Sequence, residues 1–223
     1  MMIRTIAAAA LALCSAGCAA GIYTEFQPGG AAAAPVAAER IAVLPLSTDE
    51  GSERYRAAIG DSLLAAAERA HPWIEFIPPE VTLDRLDTAG VAQRLADLLA
   101  AYDETGRYDR AVLREVGQAL GVDHVLQFQV GYARENEVTT SLLDPGTAYE
   151  ADRQNLYVTA ELWDLRAGEL AWETTGTSTT RDAEYELPRS FHEVLAAAAA
   201  ELARQIPLRA AGPPVEAAPS GGP

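Results

Sequence analysis

The chain contains no lysine. All 17 of its basic residues are arginine, set against 32 acidic ones, for a formal charge of −15. Without lysine there is no phosphate-cradling P-loop and no Schiff-base amine. A surface this acidic is also repelled by nucleic acid and by anionic headgroups. Histidine is scarce: His71, His124 and His192 are the only three. No two of them stand at ligand spacing, and His192-Glu193 lacks the second histidine of a zinc-protease helix. No metal or other cofactor is expected. The only cysteines, Cys14 and Cys18, lie close together near the N-terminus, so no disulfide is available to staple a distant part of the chain.

The N-terminus has the layout of a secretory signal. Arg4 supplies positive charge, Thr5–Leu13 is an apolar run too short to span a bilayer, and small residues follow. Ser15-Ala16-Gly17-Cys18 fits a lipobox, with small residues before a thiol that takes a diacylglyceryl group; bulky Leu13 excludes Cys14 from that role. Ser15 stands where leucine is commonest, and an ordinary signal cut near Ala20 is the alternative. Residues 1–17 are thus predicted to be a lipoprotein signal peptide and Cys18 the lipidation site. Loss of the signal takes the charge to −16, from 32 acids against 16 arginines. Lipid, rather than charge, then holds the protein to its membrane. Ala19 is not the aspartate that commonly retains lipoproteins at the inner membrane, which favours the periplasmic face of the outer membrane.

Composition divides the rest into three. Residues 18–39, rich in Ala, Gly and Pro, are predicted to be the lipidated cysteine and a flexible tether, and 210–223 a disordered tail. Residues 40–209 form one periplasmic domain, long enough to bury about 70% of its unfolded surface. Within it, Arg40–Leu46 is an apolar strand, Tyr55, Ile59, Leu63, Ala66 and Ala70 recur at helical spacing, and Trp73–Ile77 is a strand stopped by Pro78-Pro79. Two helices follow, one on Val91, Leu95, Leu98 and Tyr102, the next on Val112, Leu113, Val116 and Leu120 and ended by Gly121. From Asp123 the period changes to two. Strands over Leu126–Tyr132, Asn155–Leu165 and Leu170–Thr179 are predicted, the last two joined at Gly168, and a final helix is capped by Ser190 and Glu193. The order β-α-β-α-α-β-β-β-α describes an α/β (α+β) domain: a mixed β-sheet with helices on at least one face, the other face being left open.

Three motifs carry a resemblance: Ile41-Ala42-Val43-Leu44-Pro45, the run from Leu113 to Val125 (LREVGQALGVDHV), and the run from Leu162 to Trp172 (LWDLRAGELAW). Together they resemble the periplasmic domains of the curli-assembly lipoprotein, TolB N-terminal and penicillin-binding-protein-activator lipoprotein group. That resemblance implies a small α/β domain that binds other proteins and performs no chemistry. The curli secretion member adds membrane-spanning hairpins. Here the corresponding stretch, Arg134–Arg153, carries Glu135, Glu137, Asp144, Glu150 and Asp152 with Pro145-Gly146, which suits a soluble loop and not a barrel wall.

Gly60-Asp61-Ser62-Leu63 spells the signature of the GDSL hydrolases, but it falls inside an amphipathic helix and the chain has no Asp-x-x-His. No catalytic residue is expected. The candidate site is instead the open sheet face, where alternation displays Gln127, Gln129, Tyr157, Thr159, Glu161 and Trp163 with neighbours on the last strand. Aromatics among polar groups suit a protein interface; cross-strand pairing or a covering loop is the alternative. The expected function is a non-enzymatic adaptor or assembly factor in a cell-envelope complex, acting on protein partners and not on nucleic acid. An auxiliary lipoprotein of an envelope lipid transporter is the alternative, and an envelope hydrolase the third.

Overall fold

The computed structural model describes residues 21–29, 34–140, 148–181 and 190–210. Along these residues run β1 (Gly21–Pro28), β2 (Val36–Ala38), β3 (Arg40–Val43), β4 (Ser47–Thr48), α1 (Arg56–Ala70), β5 (Glu75–Ile77), α2 (Pro79–Thr88), α3 (Ala92–Thr105), α4 (Arg110–Leu120), β6 (His124–Thr140), β7 (Ala148–Asp164), β8 (Glu169–Arg181), α5 (Phe191–Gln205) and β9 (Leu208–Ala210). The main sheet has the order β1-β8-β7-β6-β3-β5, with β4 continuing alongside β6. β3 is parallel to both β5 and β6, whereas the pairs β6–β7, β7–β8 and β8–β1 are antiparallel. A small separate sheet pairs β2 with β9 in parallel.

The apolar run at Ile41–Leu44 is buried on both sides, and this divides the interior in two. Ile41 and Val43 point toward α1 and α5, joining Leu126, Phe128, Val130, Val158 and Leu162 in one core. Ala42 and Leu44 point the other way, into a second core built from α2, α3 and α4. The helix ends follow their local signals. Ser190 and Glu193 form the reciprocal capping box at the start of α5, with Glu193 Oε2 accepting the Ser190 N–H at 2.8 Å. Gly121 closes α4 in the left-handed region at φ +67°.

Three segments differ from the sequence-based expectation. Pro78-Pro79 does not simply stop a strand: Pro79 sits in the first turn of α2, where its missing N–H would have had no partner anyway. Arg134–Arg153, expected to be a loop, continues β6 and β7 as an antiparallel ribbon paired from Arg134 with Gln154 to Thr140 with Ala148; residues 141–147 lie outside the described residues.

The third difference is the expected tether, which holds β1 and β2. β1 pairs along its whole length with β8, from Gly21 opposite Arg181 to Pro28 opposite Thr174. Its exposure alternates, with Ile22, Thr24 and Phe26 half-buried and Tyr23, Glu25 and Gln27 exposed. The surrounding alanines, glycines and prolines hid that alternation. Cys18 and residues 211–223 lie outside the described residues.

Phe26 is held by a specific fit, because it lies directly opposite Gly176 and a methyl group at Gly176 would overlap its ring and approach Glu25 O to 2.5 Å. Gly176→Ala is therefore expected to cost about 1–3 kcal/mol through overpacking, with partial recovery when Phe26 is shortened to leucine. Urea unfolding of the single and double variants checks this; an unchanged midpoint for Gly176→Ala would mean that β1 is not seated as described.

Candidate interaction face

The six side chains singled out from the sequence lie on one side of β6 and β7, opposite the core made with α1 and α5. Tyr157 lies opposite Gly131, Thr159 opposite Gln129, Glu161 opposite Gln127 and Trp163 opposite Val125. They are therefore neighbours in two adjacent columns. Only half of that patch reaches solvent.

Trp163 is 1% exposed and belongs to the second core. The rings of Tyr102 and Tyr108, which flank the turn between α3 and α4, meet it edge to face at 4.9 and 5.2 Å. Its Nε1–H donates to Glu161 Oε2 at 3.1 Å. Glu161 and Gln127 are buried beside it. These three residues are removed from the expected face, because the helices α2–α4 dock over this end of the sheet rather than leaving it bare. A signal for this was present: Leu162 and Trp163 are two large apolar residues at successive positions, which point to opposite sides of a strand.

The other half is left uncovered by the described residues. Tyr157 is 46% exposed, with Gln129 and Thr159 half-buried beside it. The register extends the patch across β8 and β1, in rows Tyr157–Thr177–Glu25 and Thr159–Thr175–Gln27, with Thr179 opposite Tyr23 beyond them. Tyr23 is 56% exposed, and the Thr159 and Thr175 hydroxyls lie 3.1 Å apart. Tyr23, Glu25 and Gln27 are not legible from the sequence, because β1 falls in the Ala-, Gly- and Pro-rich stretch expected to be tether. The result is a surface of threonines that carries two exposed tyrosines, Tyr157 and Tyr23.

Asp49 marks the rim of this surface. It lies over Gly131, where a Cβ would come within 2.9 Å of its Oδ2 and 3.8 Å from the Tyr157 Cβ. Its Oδ1 accepts from the Ser52 N–H at 2.8 Å and the Ser52 hydroxyl at 2.5 Å, and its Oδ2 from the Tyr132 N–H at 3.2 Å. Burial opposes ionisation of Asp49, but the Ser52 hydroxyl and the N–H groups of Ser52, Tyr132 and Gly51 outweigh it and hold the carboxyl below the ordinary aspartate range. The unfolded chain therefore takes up this proton at a higher pH than the folded one. The stabilisation is present above about pH 4 and is lost as pH falls through the folded value. Asp49→Asn is expected to flatten the acid limb of stability against pH, measured by urea midpoints; an acid limb identical to that of the wild type would contradict the assignment.

The remaining sequence candidates occupy structural positions. Ser62 lies in the middle of α1, not at a strand-to-helix turn. His71 ends α1, with Nε2 2.9 Å from Ala203 O. His124 opens β6, its pKa lowered by burial against the opposing pull of Asp164 and Asp123. His192 is exposed in the first turn of α5. No group of three or more metal-ligating side chains occurs among the described residues. Among those residues, too, no helix is long and apolar enough to cross a membrane.

No protein-family model and no curated protein sequence matches the chain. Three solved structures are similar to it to different degrees. PelC from Paraburkholderia phytofirmans, solved as a dodecamer of a single-residue variant, is 14% identical, with 84% of this chain and 100% of that one covered at a TM-score of 0.50. Lipoprotein GNA1162 from Neisseria meningitidis is 17% identical over 73% of this chain and 96% of that one, at a TM-score of 0.37. The C-terminal domain of LpoB from Salmonella enterica is 15% identical over 64% and 84%, at 0.35. At these identities the likeness is one of fold.

Proposed function

We propose that this protein is a non-enzymatic lipoprotein, acylated on Cys18 and held at the periplasmic face of the outer membrane, that serves as an adaptor or assembly factor for a cell-envelope complex. The partner binds the uncovered half of the sheet around Tyr157. The observation that carries this reading is the pair of tyrosines, Tyr157 and Tyr23, standing 46% and 56% exposed on a face that the helices leave bare. A tyrosine offers a large apolar area at little entropic cost and a hydroxyl to hydrogen-bond, and such residues dominate binding energy at protein interfaces. The lipobox at Ser15–Cys18 supports the address, and a net charge of −16 after cleavage, from 32 acids against 16 arginines, favours acylation over basic charge as the means of attachment.

The test is capture of the acylated protein with its partners from its own envelope, followed by mass spectrometry. Recovery of penicillin-binding proteins or secretion components fits an adaptor, whereas a transport ATPase or permease would favour the lipid-transport alternative. Tyr157→Ala is expected to weaken capture by about 2 kcal/mol, roughly thirtyfold, at little cost to the fold. Capture equal to wild type would remove this face as the interface. Cys18→Ser should leave the precursor uncleaved and unlabelled by a palmitate analogue, and normal labelling would end the lipoprotein reading.

A further inference from the structure

The structure points to an orientation on the membrane: we infer that the end of the sheet formed by Gly21, Arg181 and the β6–β7 ribbon faces the bilayer, so that the domain is held there on a short leash. The inference rests on acylation of Cys18. It adds a geometry that acylation alone does not supply.

Three peptide units separate Cys18 from Gly21, so whatever path the chain takes, the two Cα atoms are at most about 11 Å apart. Gly21 is not free to wander. It begins β1, which is paired in consecutive register with β8 as far as Pro28 and carries Phe26 into the core with α5. The anchor is therefore attached to the edge strand of the main sheet and not to a tether of some twenty residues.

Register then fixes which end of the sheet that is. Gly21 lies opposite Arg181, the last residue of β8, and Thr179 lies opposite Asn155 of β7. β7 therefore crosses the level of Gly21 close to Arg153. Its earlier residues, back to Ala148, pair with β6 as far as Thr140 and extend beyond that level by roughly 17 Å. The ribbon and the anchor leave the same end of the sheet. The turn between β7 and β8 lies at the opposite end, about 40 Å away along β8.

With the lipid in the bilayer, the ribbon must run toward the headgroups or along them, because pointing it away would drive the helices through the membrane. The ribbon reaches roughly 17 Å past the level of Gly21 whereas the leash spans at most about 11 Å, and the ribbon carries Glu135, Glu137, Glu150 and Asp152, so it lies along an anionic surface rather than end-on into it.

The sequence makes a clean test possible, since cleavage removes Cys14 and acylation blocks Cys18, leaving no free thiol. Single cysteines are introduced in the acylated full chain as Tyr23→Cys beside the anchor, Glu137→Cys on the ribbon and Glu169→Cys at the far end of β8. Each is labelled with bimane and reconstituted into phosphatidylethanolamine–phosphatidylglycerol vesicles containing a headgroup-nitroxide lipid. Quenching is expected to be severalfold greater at positions 23 and 137 than at 169. Inserting about twenty Gly/Ser residues between Ala20 and Gly21 should bring positions 23 and 137 down to the level of 169. Equal quenching at all three positions, stronger quenching at 169, or quenching indifferent to the insertion would overturn the orientation while leaving acylation intact. A protein that neither floats with vesicles nor takes up a palmitate analogue would instead overturn the Cys18 reading, and this inference with it.

Discussion

Trp163→Ala is expected to cost about 3–5 kcal/mol of folding stability, as truncation of a buried aromatic does, and to leave the partner affinity of the remaining folded protein unchanged. The side chain is 1% exposed, and its removal would open a cavity between the sheet and the turn joining α3 to α4. Two edge-to-face contacts, with Tyr102 and Tyr108, would be lost together. Glu161, itself buried, would lose the indole N–H that donates to it. Urea unfolding followed by far-UV circular dichroism measures the stability, and capture under conditions where the variant is still folded measures the affinity. A stability loss under about 1 kcal/mol, within the range of a surface substitution, together with lost capture would restore Trp163 to the interface and contradict the covering by α3 and α4.

Leu162→Ala is expected to cost about 2–5 kcal/mol, the range for a buried leucine whose cavity collapses only partly. Leu162 is fully buried on the other side of the same strand, in a row between Leu126 and Trp172 and in the core shared with α1 and α5. Consecutive residues with opposite directions would thus both be core, which a sheet with one wet face does not allow. Tyr157→Ala, five positions earlier on the same strand, should cost far less. The gradient along β7, from covered at Trp163 to open at Tyr157, is what the three variants measure by urea midpoint. If Leu162→Ala were tolerated as well as Tyr157→Ala, the packing of α5 on the sheet would be wrong.

The sequence was most informative where burial and local conformation agree. Ile41–Leu44, apolar at every position, is the strand buried on both faces between two parallel neighbours. Gly168, at φ +68°, forms the turn between β7 and β8, and Ser190 with Glu193 caps α5. What escaped was non-local. β1 is polar on one side and half-buried on the other, so its pattern is faint. Its partner is β8, near the other end of the chain, and no short-range signal announces that pairing. The alternation that sends Trp163 away from Leu162 was legible. The layer it enters was not, because that depends on where the pair α3–α4 docks and on Tyr102 and Tyr108 arriving together at the turn between them. The exposed part of that side of the sheet consequently lies not at Trp163 but toward Tyr157, Thr175, Thr177 and the unforeseen Tyr23.

The claim that the uncovered half-sheet is where a partner binds is tested most directly by site-specific photocrosslinking in the native envelope. A photoreactive amino acid is placed at Tyr157 and, as a comparison, at Val81, which is comparably exposed at 40% but lies on α2 over the other part of the sheet. Irradiation should give a discrete higher-mass adduct from position 157 and none from position 81. An adduct from position 81 alone, or none from 157 in protein shown to be acylated and folded, would contradict the account.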